Sequence, residues 1–146
     1  MPVKPIPDGY RTVTPYLTVT DATALLEFMQ KAFDARDVHA MKGPDGRVWH
    51  ADLMIGDSHV MLGQARTPEE AMPAMLYLYV PDCDTAYRKA LAAGAKSHSE
   101  PTTQFYGDRH GAVVDGCGNQ WWLATHVEDV APDELEQRAK AARAGS

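Results

Sequence analysis

No run of residues approaches the ~18 consecutive apolar positions that a membrane-spanning helix needs, so nothing in this chain reads as a membrane span. Cysteine is scarce. Cys83 and Cys117 form no CxxC pair and offer no disulfide framework, so a reduced, cytoplasmic setting is the expectation. Basic charge is in deficit, with 14 Lys and Arg against 20 Asp and Glu and a net charge of -6. That balance argues against a nucleic-acid footprint or an anionic membrane surface as partner. A glycine-rich phosphate loop is missing as well. Gly116-Cys117-Gly118-Asn119 lacks the GxGxxG spacing and runs into a strand, so it reads as a hairpin turn. Met1 to Tyr10 holds three prolines and no apolar core, which excludes a signal-peptide reading. What remains is ordinary for a globular protein: 146 residues, 45% hydrophobic and 23% charged, enough for one domain with a real core.

The chain repeats itself at an offset of 61 positions, read without a gap. Tyr16-Leu17-Thr18-Val19-Thr20-Asp21 returns as Tyr77-Leu78-Tyr79-Val80-Pro81-Asp82, each time ahead of an amphipathic helix. In the first half, alternation predicts a strand over Thr12–Val19, and Asp21 caps a helix running to Phe33. Strands follow at Val38–Lys42, Val48–Ile55 and His59–Gly63, separated by Gly-rich turns. The second half gives a strand at Met75–Val80, then a helix begun by Asp82 or Asp84 and ended by Gly94. A weak strand at Lys96–Ser99, a loop Glu100–Asp108, and strands at Arg109–Asp115 and Gln120–Thr125 complete it. The expectation is therefore an α+β fold. Two βαβββ modules, about 11–64 and 75–126, build a cupped mixed sheet with helices outside, and a terminal helix covers about 132–144. Duplicated modules of this kind place a shared site at their seam.

Strand parity sorts the side chains into two faces. Val13, Leu17, Val19, Val60, Leu62, Leu76, Leu78, Val80 and Leu123 form an aliphatic face for the helices. The opposite face is chemically mixed, and candidate ligand contacts come from it: Tyr16, His59, Met61, Met75, Tyr77, Tyr79, Gln120 and Trp122. Tyr, Trp, Met and His together suit partly wet recognition of a small molecule. The same parity adds His50, Asp52 and Met54, opposite Arg109, Gly111 and Val113. His50, Asp52 and Arg109 are the candidate catalytic residues, as an acid–base pair or an anion clamp. Plainer roles stand beside these. His50, Asp52 and His59 could hydrogen-bond across strands, Arg109 could pair with Asp108 or Asp52, and the mixed face could be a subunit interface.

Thr14-Pro15-Tyr16-Leu17, Trp49-His50-Ala51-Asp52-Leu53, Phe105-Tyr106-Gly107-Asp108-Arg109 and the run Asn119 to Val130 carry a resemblance. They resemble the vicinal oxygen chelate superfamily of glyoxalases, bleomycin-resistance proteins and dioxygenases, and more narrowly its PhnB-like branch. The turn Asp115–Asn119 departs from the pattern of those relatives. The resemblance implies four metal positions at Thr14, Met61, Met75 and Trp122, and the 61-residue repeat links them pairwise. None is a His, Glu, Asp or Cys, so the expectation is no metal and no other cofactor. The resemblance also implies a homodimer. Two functions follow as expectations: a metal-free binder of a small aromatic or heterocyclic molecule, or a lyase- or isomerase-type enzyme working without metal or through a displaced site.

Overall fold

In the computed structural model, which describes residues 2–145, each half of the chain builds one four-stranded sheet with a helix on one side. The first half runs β1 (Tyr16–Val19), α1 (Ala22–Phe33), β2 (Arg36–Lys42), β3 (Val48–Ile55) and β4 (Ser58–Gln64). After a short 3-10 turn at Pro68–Glu70 come β5 (Met75–Tyr79), α2 (Cys83–Ala92), β6 (Lys96–Thr103), β7 (Asp108–Val114) and β8 (Gln120–His126). A last helix, α3, spans Pro132–Ala144. The sheet orders are β1-β4-β3-β2 and β5-β8-β7-β6, with β1 parallel to β4, β5 parallel to β8 and every other pair antiparallel.

Local chemistry sets these elements. The Asp21 carboxylate accepts from the Ala24 amide at 3.0 Å, and Asp82 does the same for Asp84 and Thr85, satisfying orphan donors at both helix starts. Of the two aspartates expected to start α2, Asp82 is the cap. Leu25, Phe28, Met29 and Ala32 face inward from α1 at helical spacing. Phe28 and Phe33 then reach across to the fully buried Trp121 of β8. One core therefore serves both halves. An isolated antiparallel bridge pairs Thr18 of β1 with Met72, in the connector that leads to β5.

Several expectations change. β1 begins at Tyr16, because Pro15 has no amide proton to offer a ladder, and Val13 is 80% exposed rather than under a helix. β6 runs on to Thr103, so the long loop shrinks to a tight turn where the Gly107 amide donates to the Gln104 carbonyl. The repeat also contains compensating shifts. Tyr16 pairs with Met61 as Tyr77 pairs with Trp122, an offset of 61, but Asp52 pairs with Met61 as Ala112 pairs with Trp122. From β3 to β7 the offset is thus 60. One residue is lost before β7 and regained in the β7–β8 turn, and the outer offsets hide the change.

Candidate functional site

That one-residue shift reverses β7. Arg109, Gly111 and Val113 lie on the helix side, not on the mixed face. Arg109 reaches the α2 start instead, its Nε donating to Asp84 at 3.2 Å, a partner that neither Asp108 nor Asp52 provides. The residues of β7 that meet Tyr77, Tyr79 and Trp122 are Asp108 and His110. Neither stood among the candidates. With the offset of 60, His110 is the counterpart of His50, and that is the signal by which the sequence could have found it.

Asp108 organises the second module's face. Its carboxylate is 5% exposed, and Oδ2 accepts from the Tyr77 and Tyr79 hydroxyls at 2.9 Å each. Its Oδ1 lies 2.9 Å from His126 Nδ1, whose other nitrogen meets Asp129 at 2.7 Å. Burial alone would push the Asp108 carboxyl up, but the bonds from His126, Tyr77 and Tyr79 outweigh it and hold the group below the usual range. Burial and the Asp108 carboxylate push the Tyr77 phenol up, so it remains a donor. His126 is pushed up by its bonds to Asp108 and Asp129. His110 sits beside this cluster, its Nδ1 3.0 Å from the Tyr77 hydroxyl and 3.4 Å from that of Tyr106. Burial lowers its pKa. Gln120 orients Trp122 by accepting from the indole N–H at 3.1 Å.

The first module's face is built differently. Asp52 and His59 pair at 2.8 Å with side chains 7% and 8% exposed. Tyr10 lies flat on the His59 ring, centroids 3.6 Å apart, and its hydroxyl donates to Asp52. The strand pattern gave no signal for Tyr10, because the segment before β1 has no periodicity. His50 stays apart from that pair and meets the Tyr16 hydroxyl at 3.2 Å. Gly63 makes that contact possible, since a side chain there would collide with the Tyr16 hydroxyl. The structure therefore brings Asp52 to His59 and leaves His50 and Arg109 elsewhere.

At the four positions that the resemblance assigns to a metal, Thr14, Met61, Met75 and Trp122, the side chains are one hydroxyl, two thioethers and one indole. Thr14 uses its hydroxyl to donate to the Arg11 carbonyl at 3.2 Å. This donor set does not fit a divalent ion, which takes imidazole, carboxylate or thiolate. The Cys117 thiol lies against the α1 cap, donating to the Asp21 carbonyl at 3.6 Å, and burial pushes its pKa up. A cavity of about 940 Å³ opens between the modules, with Phe33, Asp34, Leu78 and Lys89 among its walls. Of the expected ligand residues only Tyr77 and Tyr79 line it. Of the others, Met75 and Tyr16 stand open at 61% and 52% exposure, while His59 lies under Tyr10.

Two βαβββ units with parallel β1–β4 and β5–β8 pairs are now in place, and a family profile agrees with them. The Glyoxalase/Bleomycin resistance protein/Dioxygenase superfamily matches residues 11–123. This chain belongs to that superfamily. It is 36% identical to an uncharacterized protein of Mycobacterium tuberculosis strain H37Rv over 135 residues, covering 85% of this chain and 79% of the relative. A Mycobacterium bovis protein, also uncharacterized, gives the same identity with 89% of its length covered. Among solved structures, TioX from Micromonospora sp. ML1 superposes with a TM-score of 0.70 at 23% identity, covering 80% of this chain and 99% of TioX. A glyoxalase/bleomycin resistance protein/dioxygenase from Nocardioides follows at 0.62 and 20%, over 84% and 87% of the two chains. At such identities the superfamily structures speak to the fold alone.

Proposed function

We propose that this superfamily member, of the PhnB-like kind, binds a small aromatic or heterocyclic molecule on its mixed face without a metal ion at the family positions. The observation that carries the reading is the anchoring of Tyr77 and Tyr79 by Asp108. Both rings stand partly exposed, 40% and 66%, beside Trp122, with their phenols already fixed by a buried carboxylate. Fixed flat rings lose little entropy on meeting a planar ligand. In the first module Tyr10 already covers Asp52 and His59, so the second module offers the freer surface. On the mixed face Tyr16, Met75 and Tyr79 stand 52%, 61% and 66% exposed, apolar surface that a second copy could cover. A cytoplasmic homodimer that closes two such faces into a cup is part of the proposal.

Native mass spectrometry of freshly purified protein tests it. A bare dimer, or a dimer with an organic adduct, supports the reading. One divalent ion per cup, lost on substituting Met61 or Met75, overturns it. Trp122→Ala should weaken binding of a probe such as 1-naphthol roughly tenfold and leave dimerisation nearly unchanged. A second reading, a metal-free lyase or isomerase, draws on the Asp108–Tyr77–His110 cluster, whose groups could relay a proton. Turnover that survives chelators and falls with His110→Phe would favour it.

A further inference from the structure

Each module carries the same tyrosine–histidine pair, but the proton in it runs in opposite directions. A phenol has one hydrogen to donate. Tyr16 has no bonding partner other than His50 Nδ1 among the described residues and no carboxylate competing for its hydrogen, so the phenol is the natural donor of that pair, which places the His50 proton on Nε2. Tyr77 is different. Its hydrogen is taken by the Asp108 carboxylate at 2.9 Å, because an anionic acceptor competes better than a neutral ring nitrogen. The 3.0 Å contact between the Tyr77 oxygen and His110 Nδ1 then needs a hydrogen from the imidazole. That fixes the proton on Nδ1 and leaves the lone pair on Nε2. This second nitrogen has no hydrogen-bond partner among the described residues, and no buried side-chain nitrogen or oxygen among them lacks one, so it is open to solvent. Around it stand the rings of Trp122, Tyr77 and Tyr106, at centroid distances of 5.0, 5.7 and 6.0 Å.

We propose that His110 Nε2 is the hydrogen-bond acceptor of the second module's face, and that this face selects planar aromatic molecules bearing an O–H or N–H, such as phenols and N–H heterocycles. The inference rests on the aromatic-binding reading and adds the polar half of the ligand to it. Tyr77 of β5 and Tyr106 of the turn meet His110 directly, Asp108 on its own strand gathers Tyr79 and His126 into the same cluster, and His98 of β6 also packs on Trp122. Burial lowers the pKa of His110 against the opposing pull of Asp108, which keeps the ring neutral and accepting near neutral pH. Tyr77 is a positioning residue here, setting the tautomer through its bond to Asp108.

Long-range proton–nitrogen NMR of uniformly 15N-labelled protein at about pH 7 reads the tautomers directly. His110 should carry its proton on Nδ1 and His50 on Nε2, and Tyr77→Phe should return His110 to the Nε2–H form. A cationic or Nε2–H His110 in the unaltered protein overturns the proposal. Ligand-observed titration then compares 1-naphthol with 1-methoxynaphthalene, which keeps the ring and loses the donor. A roughly fivefold to tenfold preference for the naphthol, abolished by His110→Phe, is the expected result. Equal affinity for both probes defeats the acceptor role and leaves the aromatic-binding reading standing. No binding of either removes both.

Discussion

Asp108 shows how one buried carboxylate can hold a site in shape. It accepts from two phenols and lies against an imidazole, so removing its charge leaves donors without a proper partner. Asp108→Asn should cost roughly 1–3 kcal/mol of stability near neutral pH, measured by denaturant unfolding. The sign with pH follows from the lowered pKa. A carboxyl whose folded pKa lies below its unfolded value of about 3.9 stabilises fully above that value and loses the contribution as pH falls through the folded one. The gap between the two proteins should therefore close as the buffer is acidified below about pH 4, and above about pH 5 it should shrink only as His126, which draws on Asp108, loses its proton; a gap that widens in acid would contradict the bonding described. His126 has the opposite sign. Its raised pKa supplies stability below about pH 6.5 that fades as pH rises through the folded value. The sequence put Tyr77, Tyr79, Gln120 and Trp122 on one face and was right about their side of the sheet, as the strand pairing demonstrates. It missed Asp108 and His110 because parity is a count, and one residue of slip exchanges the faces.

Among the elements, the β6–β7 turn and α3 govern the rim of this face. Gly107 has φ of 97°, and a side chain there would collide with the Glu128 carbonyl just past β8. Its carbonyl also accepts from the Val127 and Glu128 amides at 2.8 and 3.1 Å. Gly107→Ala combines left-handed strain with a backbone clash, so a loss of about 2–3 kcal/mol is expected, or a Tm lower by roughly 5–10 °C. Arg138 pins α3 to the same place, donating to both Glu128 oxygens at 2.7 and 2.9 Å and to the Phe105 carbonyl at 3.1 Å. Arg138→Ala should leave the Tm within about 2 °C but raise hydrogen exchange at residues 104–108 and along α3. Helices were readable from caps and periodicity almost to the residue. β6 was not, since Glu100, Pro101 and Thr102 read as loop while the chain meets β7 through register shifts.

For the whole molecule, the shared core decides how the halves behave. Phe28 and Phe33 of the first half pack on Trp121 of the second, whose indole donates to Asp115 at 2.7 Å. Unfolding should thus be one transition by fluorescence and by circular dichroism alike. Phe33→Ala should lower protection of amides in β7 and β8 as much as in β3 and β4, at a cost of roughly 2–4 kcal/mol. Protection lost in the first half alone would mean that the halves unfold separately. The duplicated βαβββ plan was fully legible, because element order survives small slips. Which side chains share a pocket was legible only where the offset held.

The hidden slip between β3 and β7 has a consequence for how such molecules diversify. A duplicated gene can give its two halves different chemistry without replacing any side chain in a strand. Moving one residue of length from an upstream connection into the following turn rolls β7 over, retires Arg109 to an ion pair beneath a helix, and turns Asp108 and His110 outward. Codons matched at a constant spacing would then pair Asp52 with a core valine, Val113, and the histidine at 50 with a glycine, Gly111, although its spatial twin is the histidine one place earlier.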